Sequence, residues 1–148
     1  MRWLVQIDNL FVLFCEDIRE EKDGKVSYMG VLGTGVAAAS FPLAMPKLCI
    51  GLGAEVKGHQ PVRVACEVES DLNINLPRKF EHLVEPPEVE AKSWNLRLNI
   101  NLTNVTIDRE GSVIARLWVE NADVESELRF FTGITELTEI AAFDTRST

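Results

Sequence analysis

The sequence predicts an all-β protein, an antiparallel β-sandwich of about eight strands and of immunoglobulin-like or C2-like type. Apolar and polar residues alternate with period two in every clear stretch, which is typical of strands with one buried and one solvated face. These stretches are short and are separated by regular turn signals, with no convincing helical spacing and no internal repeat. Because 46% of the 148 residues are hydrophobic, one domain over residues 1–148 can bury its own core.

The strands follow from this alternation in chain order. They are predicted at residues 3–14, 18–32, 48–56, 62–68, 72–76, 93–106, 113–121 and 125–132. The first stretch contains Asp8 and has the bulky Phe14 where a processing site needs a small residue, so it is interpreted as a strand and not as a signal peptide. Residues 33–48 are expected to form a connection that leads into a strand from Lys47 to Leu52, and residues 78–85 a short turn. The proline-rich loop 77–92 is expected to separate the two sheets.

A first hairpin is predicted around an Asp-Gly pair at residues 23–24. This dipeptide favours the two-residue type I′ turn, whose twist suits antiparallel strands. The hairpin would join residues 17–22 to residues 25–31. Its register would place Ile18 opposite Met29.

A second hairpin is predicted around a four-residue turn at 108–111, in which a glycine can take the positive φ that such a loop needs. Its register would pair Leu102 with Leu117 on the core side and Asn101 with Trp118 on the other. The outer face would then carry Asn95, Arg97, Asn99, Asn101, Thr103, Val105, Ile114, Arg116, Trp118 and Glu120. This surface would be flat, poor in charge and centred on one large aromatic side chain.

Such a composition resembles the centre of a protein interface, where Trp and Arg are enriched and Lys and Glu are depleted. The candidate interface residues are Trp118, Ile114, Arg116, Asn99, Asn101 and Arg97. Two alternatives remain open. The tryptophan could instead be covered by the loop 77–92 of the same chain, or it could stack on a sugar whose hydroxyl groups bind the asparagine amides.

No catalytic residue, metal site or cofactor is predicted. A G-x-G-x-x-A pattern at residues 33–38 lacks the following helix that a dinucleotide site requires, because two prolines come soon after it. Cys15 directly precedes two carboxylates, which disfavour a reactive thiolate. Cys49 and Cys66 lie in apolar strand patterns and are expected to be buried. The acidic hairpin at residues 17–23 could bind calcium, but interleaved Lys and Arg favour an ordinary solvated hairpin.

Charge and cysteine content limit the cellular compartment and the classes of binding partner that the sequence predicts. The net charge is −8 and the pI about 4.8, which argues against direct binding to nucleic acid or to anionic lipid. No apolar run is long enough to span a bilayer. Three irregularly spaced cysteines suit reduced thiols in the cytoplasm. Acidic residues are concentrated after residue 108, where they could steer a basic partner or serve only solubility.

Three segments resemble a family of uncharacterised small bacterial proteins. They are the F-C-[DE]-D-[IV]-R-x-E pattern at residues 14–21, the G-K-x-S-x-x-G pattern at residues 24–30, and the Phe-Pro and Pro-Lys-Leu elements at residues 41–48. The resemblance covers about the first third of the chain and implies one small domain with no assigned activity.

The sequence therefore predicts a non-enzymatic cytoplasmic module that binds another protein or itself, as an assembly or adaptor subunit or as an acidic inhibitor of a host-directed or phage-related kind. The alternative is a β-sandwich that binds a small ligand, either a saccharide or calcium. An enzyme of unrecognised type is the third possibility.

Overall fold

A computed structural model describes residues 5–89 and 91–133. These residues form nine strands and one 3-10 turn, Lys22–Gly24, and no α-helix. The strands are β1 Gln6–Glu20, β2 Val26–Leu32, β3 Gly35–Ala38, β4 Leu43–Lys57, β5 Val62–Ser70, β6 Phe80–Val84, β7 Ser93–Ile107, β8 Gly111–Val119 and β9 Ala122–Thr132. The prediction of an all-β protein is confirmed. In the described part of the chain no helix is long and apolar enough to cross a membrane.

The strands form two sheets. The first sheet has the order β2-β1-β4-β7, and the second has the order β3-β9-β8-β5-β6. All pairs are antiparallel except β3 with β9, which is parallel. The prediction of a purely antiparallel protein is therefore wrong at one edge of the second sheet.

The core is formed by alternate side chains of both sheets. It includes Leu48, Ile50 and Leu52 from β4, Val62, Val64 and Cys66 from β5, Leu96 and Leu102 from β7, Val113, Leu117 and Val119 from β8, and Leu128 and Phe130 from β9. Period-two alternation predicted these inward positions because successive residues of a strand point to opposite faces.

The first hairpin exists, but its predicted register is wrong by one residue. Ile18 lies opposite Tyr28, whereas Met29 lies opposite Asp17. The turn has three residues, with Asp23 and Gly24 at positive φ, so its loop is one residue longer than a type I′ turn. A shift of one residue in one strand moves its partners to the other face of the sheet.

The second predicted hairpin is wrong. β7 pairs with β4 in the first sheet, while β8 pairs with β5 and β9 in the second sheet. The turn after β7 therefore carries the chain from one sheet to the other. Each strand alternates as predicted, but alternation within a strand does not determine which strand lies beside it.

Three other predicted elements also differ. Residues 72–76 form no strand, although Leu72 is buried and Ile74 packs against the core. The turn predicted at residues 78–85 contains β6, and the connection predicted at residues 33–48 contains β3 and the start of β4. Apolar contact with the core was thus recognised at residues 72–76, but the backbone there finds no partner strand.

Val105 lies in the core and not on the outer face, where it was predicted. Asn104 has a φ of 53°, in the left-handed region that asparagine tolerates better than most residues. Beyond this position the sides of the strand are exchanged, so that Val105 and Ile107 are 5% and 0% exposed. Thr103 and Thr106 are correspondingly exposed.

Candidate functional site

The six candidate interface residues lie in two places. Trp118, Arg116 and Ile114 follow one another on the outer side of β8, in the second sheet. The other three candidates, Arg97, Asn99 and Asn101, lie on the outer side of β7, in the first sheet. The predicted surface that combined tryptophan with asparagine side chains is therefore not formed, and neither is the saccharide site that depended on it.

The neighbours of Trp118 come from the strands on both sides of β8. Direct cross-strand partners share a face in an antiparallel pair. The three rows on this face are Glu81-Ala65-Trp118-Asp123, Glu67-Arg116-Glu125 and Glu69-Ile114-Glu127. We call these residues the Trp118 face. The prediction that tryptophan lies on a charge-poor surface is wrong, because this face carries six carboxylates as well as Arg116.

Only part of this negative charge is paired. Arg116 lies 2.6 Å from Glu125 and 3.9 Å from Asp123, measured between side-chain nitrogen and oxygen. No ion pair within the described residues involves Glu67 or Glu69. The six carboxylates of the Trp118 face thus outnumber the nearby cations, which are Arg116, Lys79, Arg129 and Arg63, the last of which lines the same cleft as Trp118.

Two cations lie over the Trp118 ring. The Lys79 ammonium is 5.2 Å from the ring centroid, and the Arg116 guanidinium is 5.3 Å from it. Both distances fall in the range of cation–π attraction. Lys79 belongs to the loop that was considered as an intramolecular cover, so this loop does contact the tryptophan. The ring nevertheless remains partly exposed beside a shallow cleft that His82 and Leu83 also line.

Arg97 is held within its own sheet. Its guanidinium lies 5.1 Å from the centre of the Phe11 ring and donates hydrogen bonds to the carbonyl oxygens of Leu96 and Ala54, at 2.9 and 3.4 Å. Opposite it, Gly53 leaves the space that the guanidinium and the ring occupy. Arg97 therefore fills the outer surface of the first sheet, and its guanidinium is already engaged by backbone acceptors.

The three cysteines are buried and free. Cys66 lies in the core, whereas Cys15 and Cys49 face each other across β1 and β4 and lie outside the core cluster. Burial raises the pKa of the Cys15 thiol to about 11, and the nearby Cys49 adds to this effect. The negative charge of Asp17, which the sequence suggests as a cause, raises the pKa of Cys15 least, and the Asp17 backbone carbonyl lowers it. A thiol with so high a pKa carries almost no thiolate at neutral pH.

The acidic hairpin offers no assembled cation site. Asp17 binds Lys47 at 2.8 Å and Arg19 at 3.2 Å, and the hydrogen bond to Lys47 is the main reason that the pKa of Asp17 is lowered. Over residues 5–89 and 91–133, no three or more His, Cys, Asp or Glu side chains are grouped so that they could hold a metal ion.

The glycine-rich residues 33–38 enter β3 and begin no helix. A Cβ atom at Gly35 would lie 2.7 Å from the Phe131 ring, so this glycine permits the close parallel pairing of β3 with β9. The steric interpretation of the pattern is supported at this position, and the helix that a pyrophosphate site requires is absent from this segment.

Sequence reasoning missed Glu67 and Glu69 as site residues, although a signal was available. Both alternate with Val68 in a strand whose other face is apolar, so their outward direction could be predicted. Their position beside Arg116 and Ile114 follows only from the pairing of β5 with β8.

The profile of a family of unknown function (DUF6941) matches residues 10–128. The match extends well beyond the first third of the chain, where the sequence patterns suggested an uncharacterised family. A comparison with curated proteins gives no match.

Proposed function

Because the chain belongs to the family of unknown function DUF6941, membership assigns it no activity, and we propose from the structure that it is a non-enzymatic protein-interaction module. Its Trp118 face binds a partner protein that presents lysine or arginine side chains. The observation that carries this proposal is a partly exposed tryptophan on the same face as Glu67 and Glu69, which lie one and two rows from it and form no ion pair within the described residues.

This arrangement suits a basic side chain in two ways. The tryptophan ring attracts a cation through its π face, and carboxylates form charge-assisted hydrogen bonds with guanidinium and ammonium groups. The ion pair of Lys79 with Glu81 has side chains that are 50% and 71% exposed. Such a pair contributes little to stability, so a partner's cation can replace Lys79 over the ring at small cost.

The same charges select the class of partner. A second copy of the chain would bring another acidic surface against this one, and like charges across an interface cost binding energy. Nucleic acid and anionic lipid are repelled for the same reason. A basic protein segment is attracted over a distance of about one Debye length, roughly 8–10 Å at physiological salt.

We further propose that the two sheets form a β-sandwich of immunoglobulin-like or C2-like type and that the protein acts in the bacterial cytoplasm. Core side chains from both sheets support the first proposal. Three free, buried cysteines support a reducing compartment.

The test measures binding of a labelled lysine- and arginine-rich peptide by fluorescence anisotropy. The double variant Glu67→Lys/Glu69→Lys should weaken binding by about tenfold or more, which corresponds to about 1.4 kcal/mol. Both side chains are on the solvated side of β5 and make no ion pair within the described residues, so the fold should persist. Binding of the wild type should also weaken as salt is raised.

The matched control is Glu20→Lys/Glu21→Lys. It changes the net charge by the same amount but lies at the first hairpin, where both side chains are exposed. We expect less than about a threefold effect there. Equal losses of affinity in the two double variants would show that only overall charge matters. An unchanged affinity of Trp118→Ala would show that the tryptophan is not an anchor. Either result would overturn the proposed face.

A further inference from the structure

The free edge of β7 is the second surface with a recognisable chemistry, and it is independent of the Trp118 face. β7 pairs with β4 from Ser93 to Ile107, and it is the last strand of its sheet in the described part of the chain. Its other edge therefore presents backbone N–H and C=O groups without a partner strand among those residues. Such an edge is a template for another extended chain.

Residues 73–80 run beside this edge without pairing to it. A cleft of about 360 Å³ separates residues 73–75 from residues 101–106. A second cleft, of about 250 Å³, lies between Leu98 and Ile100 on one side and Pro77 and Phe80 on the other. No backbone hydrogen bond between the described residues crosses either cleft. Together the clefts follow β7 for about nine residues, or roughly 30 Å of extended chain.

The second cleft opens into the core. Leu98 and Ile100 point to the core side of β7 but are only partly buried, whereas Leu96 and Leu102 on either side of them are 2% and 8% exposed. Phe80, on the opposite wall, is 39% exposed. An apolar side chain that entered here would complete the burial of these three residues.

Charge and shape indicate what occupies the clefts. Arg78 lines the second cleft and forms no ion pair within the described residues. β7 itself has one charged residue, Arg97. This side of an otherwise acidic molecule can therefore accept a negative side chain. The wall formed by residues 73–80 disfavours a second folded copy, which would bring an identical wall to the same edge.

We propose that an extended segment of a partner protein adds to the free edge of β7. The segment alternates apolar and polar residues. One apolar side chain fills the cleft between Phe80 and Ile100, and an acidic side chain lies beside Arg78. Backbone pairing supplies most of the affinity, and the apolar cleft supplies selectivity.

The probe is a labelled peptide of about nine residues. It alternates valine with threonine and has glutamate at each end with isoleucine next to it, so that either end can place both side chains at the second cleft. Binding to the full chain is followed by anisotropy, and amide hydrogen exchange is compared with and without peptide. We expect binding with slower exchange over residues 98–106. The same peptide with N-methyl groups at alternate positions, which removes donors for the edge, should not bind.

Two exposed apolar residues of β6 provide a matched pair of variants. Phe80→Ser removes a wall of the cleft and should weaken binding by about tenfold. Leu83 lies on the same strand, is 51% exposed and does not line either edge cleft. Leu83→Ser should therefore change binding by less than about threefold. Arg78→Glu should weaken binding of this peptide and strengthen binding of the analogue that has lysine in place of the terminal glutamates.

Three outcomes would overturn the proposal. They are equal binding of the N-methylated peptide, equal effects of the two serine variants, and absence of binding at about 1 mM peptide. Sedimentation adds a fourth: a dimer that Phe80→Ser dissociates would show that a second copy occupies the edge. The Glu67→Lys/Glu69→Lys variant should bind the edge peptide normally, so the two proposals fail or succeed separately.

Discussion

Gly53→Ala is the most direct test of how closely β4 and β7 approach. Gly53 is buried in β4 opposite Arg97, and a Cβ atom there would lie 2.5 Å from the carbonyl oxygen of Leu96. It would also lie 2.7 Å from the Phe11 ring and 2.9 Å from the Arg97 guanidinium. Side chains can rotate away, but the Leu96 carbonyl belongs to the β7 backbone, so relief requires movement of the sheet itself.

Overpacking of this kind costs about 1–3 kcal/mol. Replacing glycine also reduces the freedom of the unfolded chain, which offsets about 0.4–1 kcal/mol of the loss. The net destabilisation should therefore be about 1–2 kcal/mol. Since each kcal/mol shifts the melting temperature of a domain of this size by about 2–4 °C, Tm should fall by roughly 2–8 °C.

The assay is thermal and urea unfolding followed by circular dichroism, with Gly33→Ala as the control. A Cβ atom added at Gly33 would have no heavy atom of the described residues within 4 Å beyond its neighbours in the chain, and Gly33 is not at positive φ. That variant should match the wild type or exceed it slightly. A Gly53→Ala protein as stable as Gly33→Ala would refute the close approach of the two strands.

Three further predictions concern the core and the titratable groups. Leu117→Ala should lower the free energy of unfolding by about 2–5 kcal/mol, because Leu117 is 0% exposed in a central strand. Urea unfolding measures this free energy, and a loss below about 1 kcal/mol would contradict the assigned core. The lowered pKa of Asp17 means that its carboxylate stabilises the fold at pH values above the usual aspartate pKa, and that this stabilisation is lost as the pH falls through the folded-state pKa. Lys47→Met should therefore make stability fall less steeply at acid pH than in the wild type. Equally steep losses in the two proteins would count against the ion pair. The pKa of Cys15 is raised from 9.0 to about 11, so the contribution of its buried thiol to stability should be complete below pH 9 and should fall as the pH rises towards 11. In the native protein Cys15 should resist iodoacetamide at about pH 8, below its usual pKa, and should react once the protein is unfolded. Rapid labelling of the folded protein would be evidence against its burial.

Much of the local structure could be predicted from the sequence. The alternation of Val113, Ala115 and Leu117 with Ile114, Arg116 and Trp118 places the first three inside and the others outside, as the structure has them. The first hairpin was also located. Its register was not, because an Asp-Gly pair is compatible with loops of different length and only one of them matches the strands that follow.

The candidate site could be predicted only in part. Trp118 and Arg116 were recognised as outward-facing anchors, but their partners were assigned to the wrong strand. The prediction assumed that β7 and β8, which a short turn connects, pair with each other. Instead, β8 finds β5 on one side, which brings Glu67 beside Arg116. The preference of neighbours in sequence for pairing is a tendency, and here packing of the two sheets outweighs it.

By itself, the sequence determined the strand character of the chain, the inward and outward side of each clear strand, and the acidic charge of the molecule. These properties depend on residue type and on a period of two residues, both of which are local. Only the tertiary structure decided which strands are neighbours, that Trp118 lies among carboxylates, and that β7 keeps a free edge within the described residues. Strand pairing joins residues far apart in the chain, and its free energy depends on how the whole core is buried.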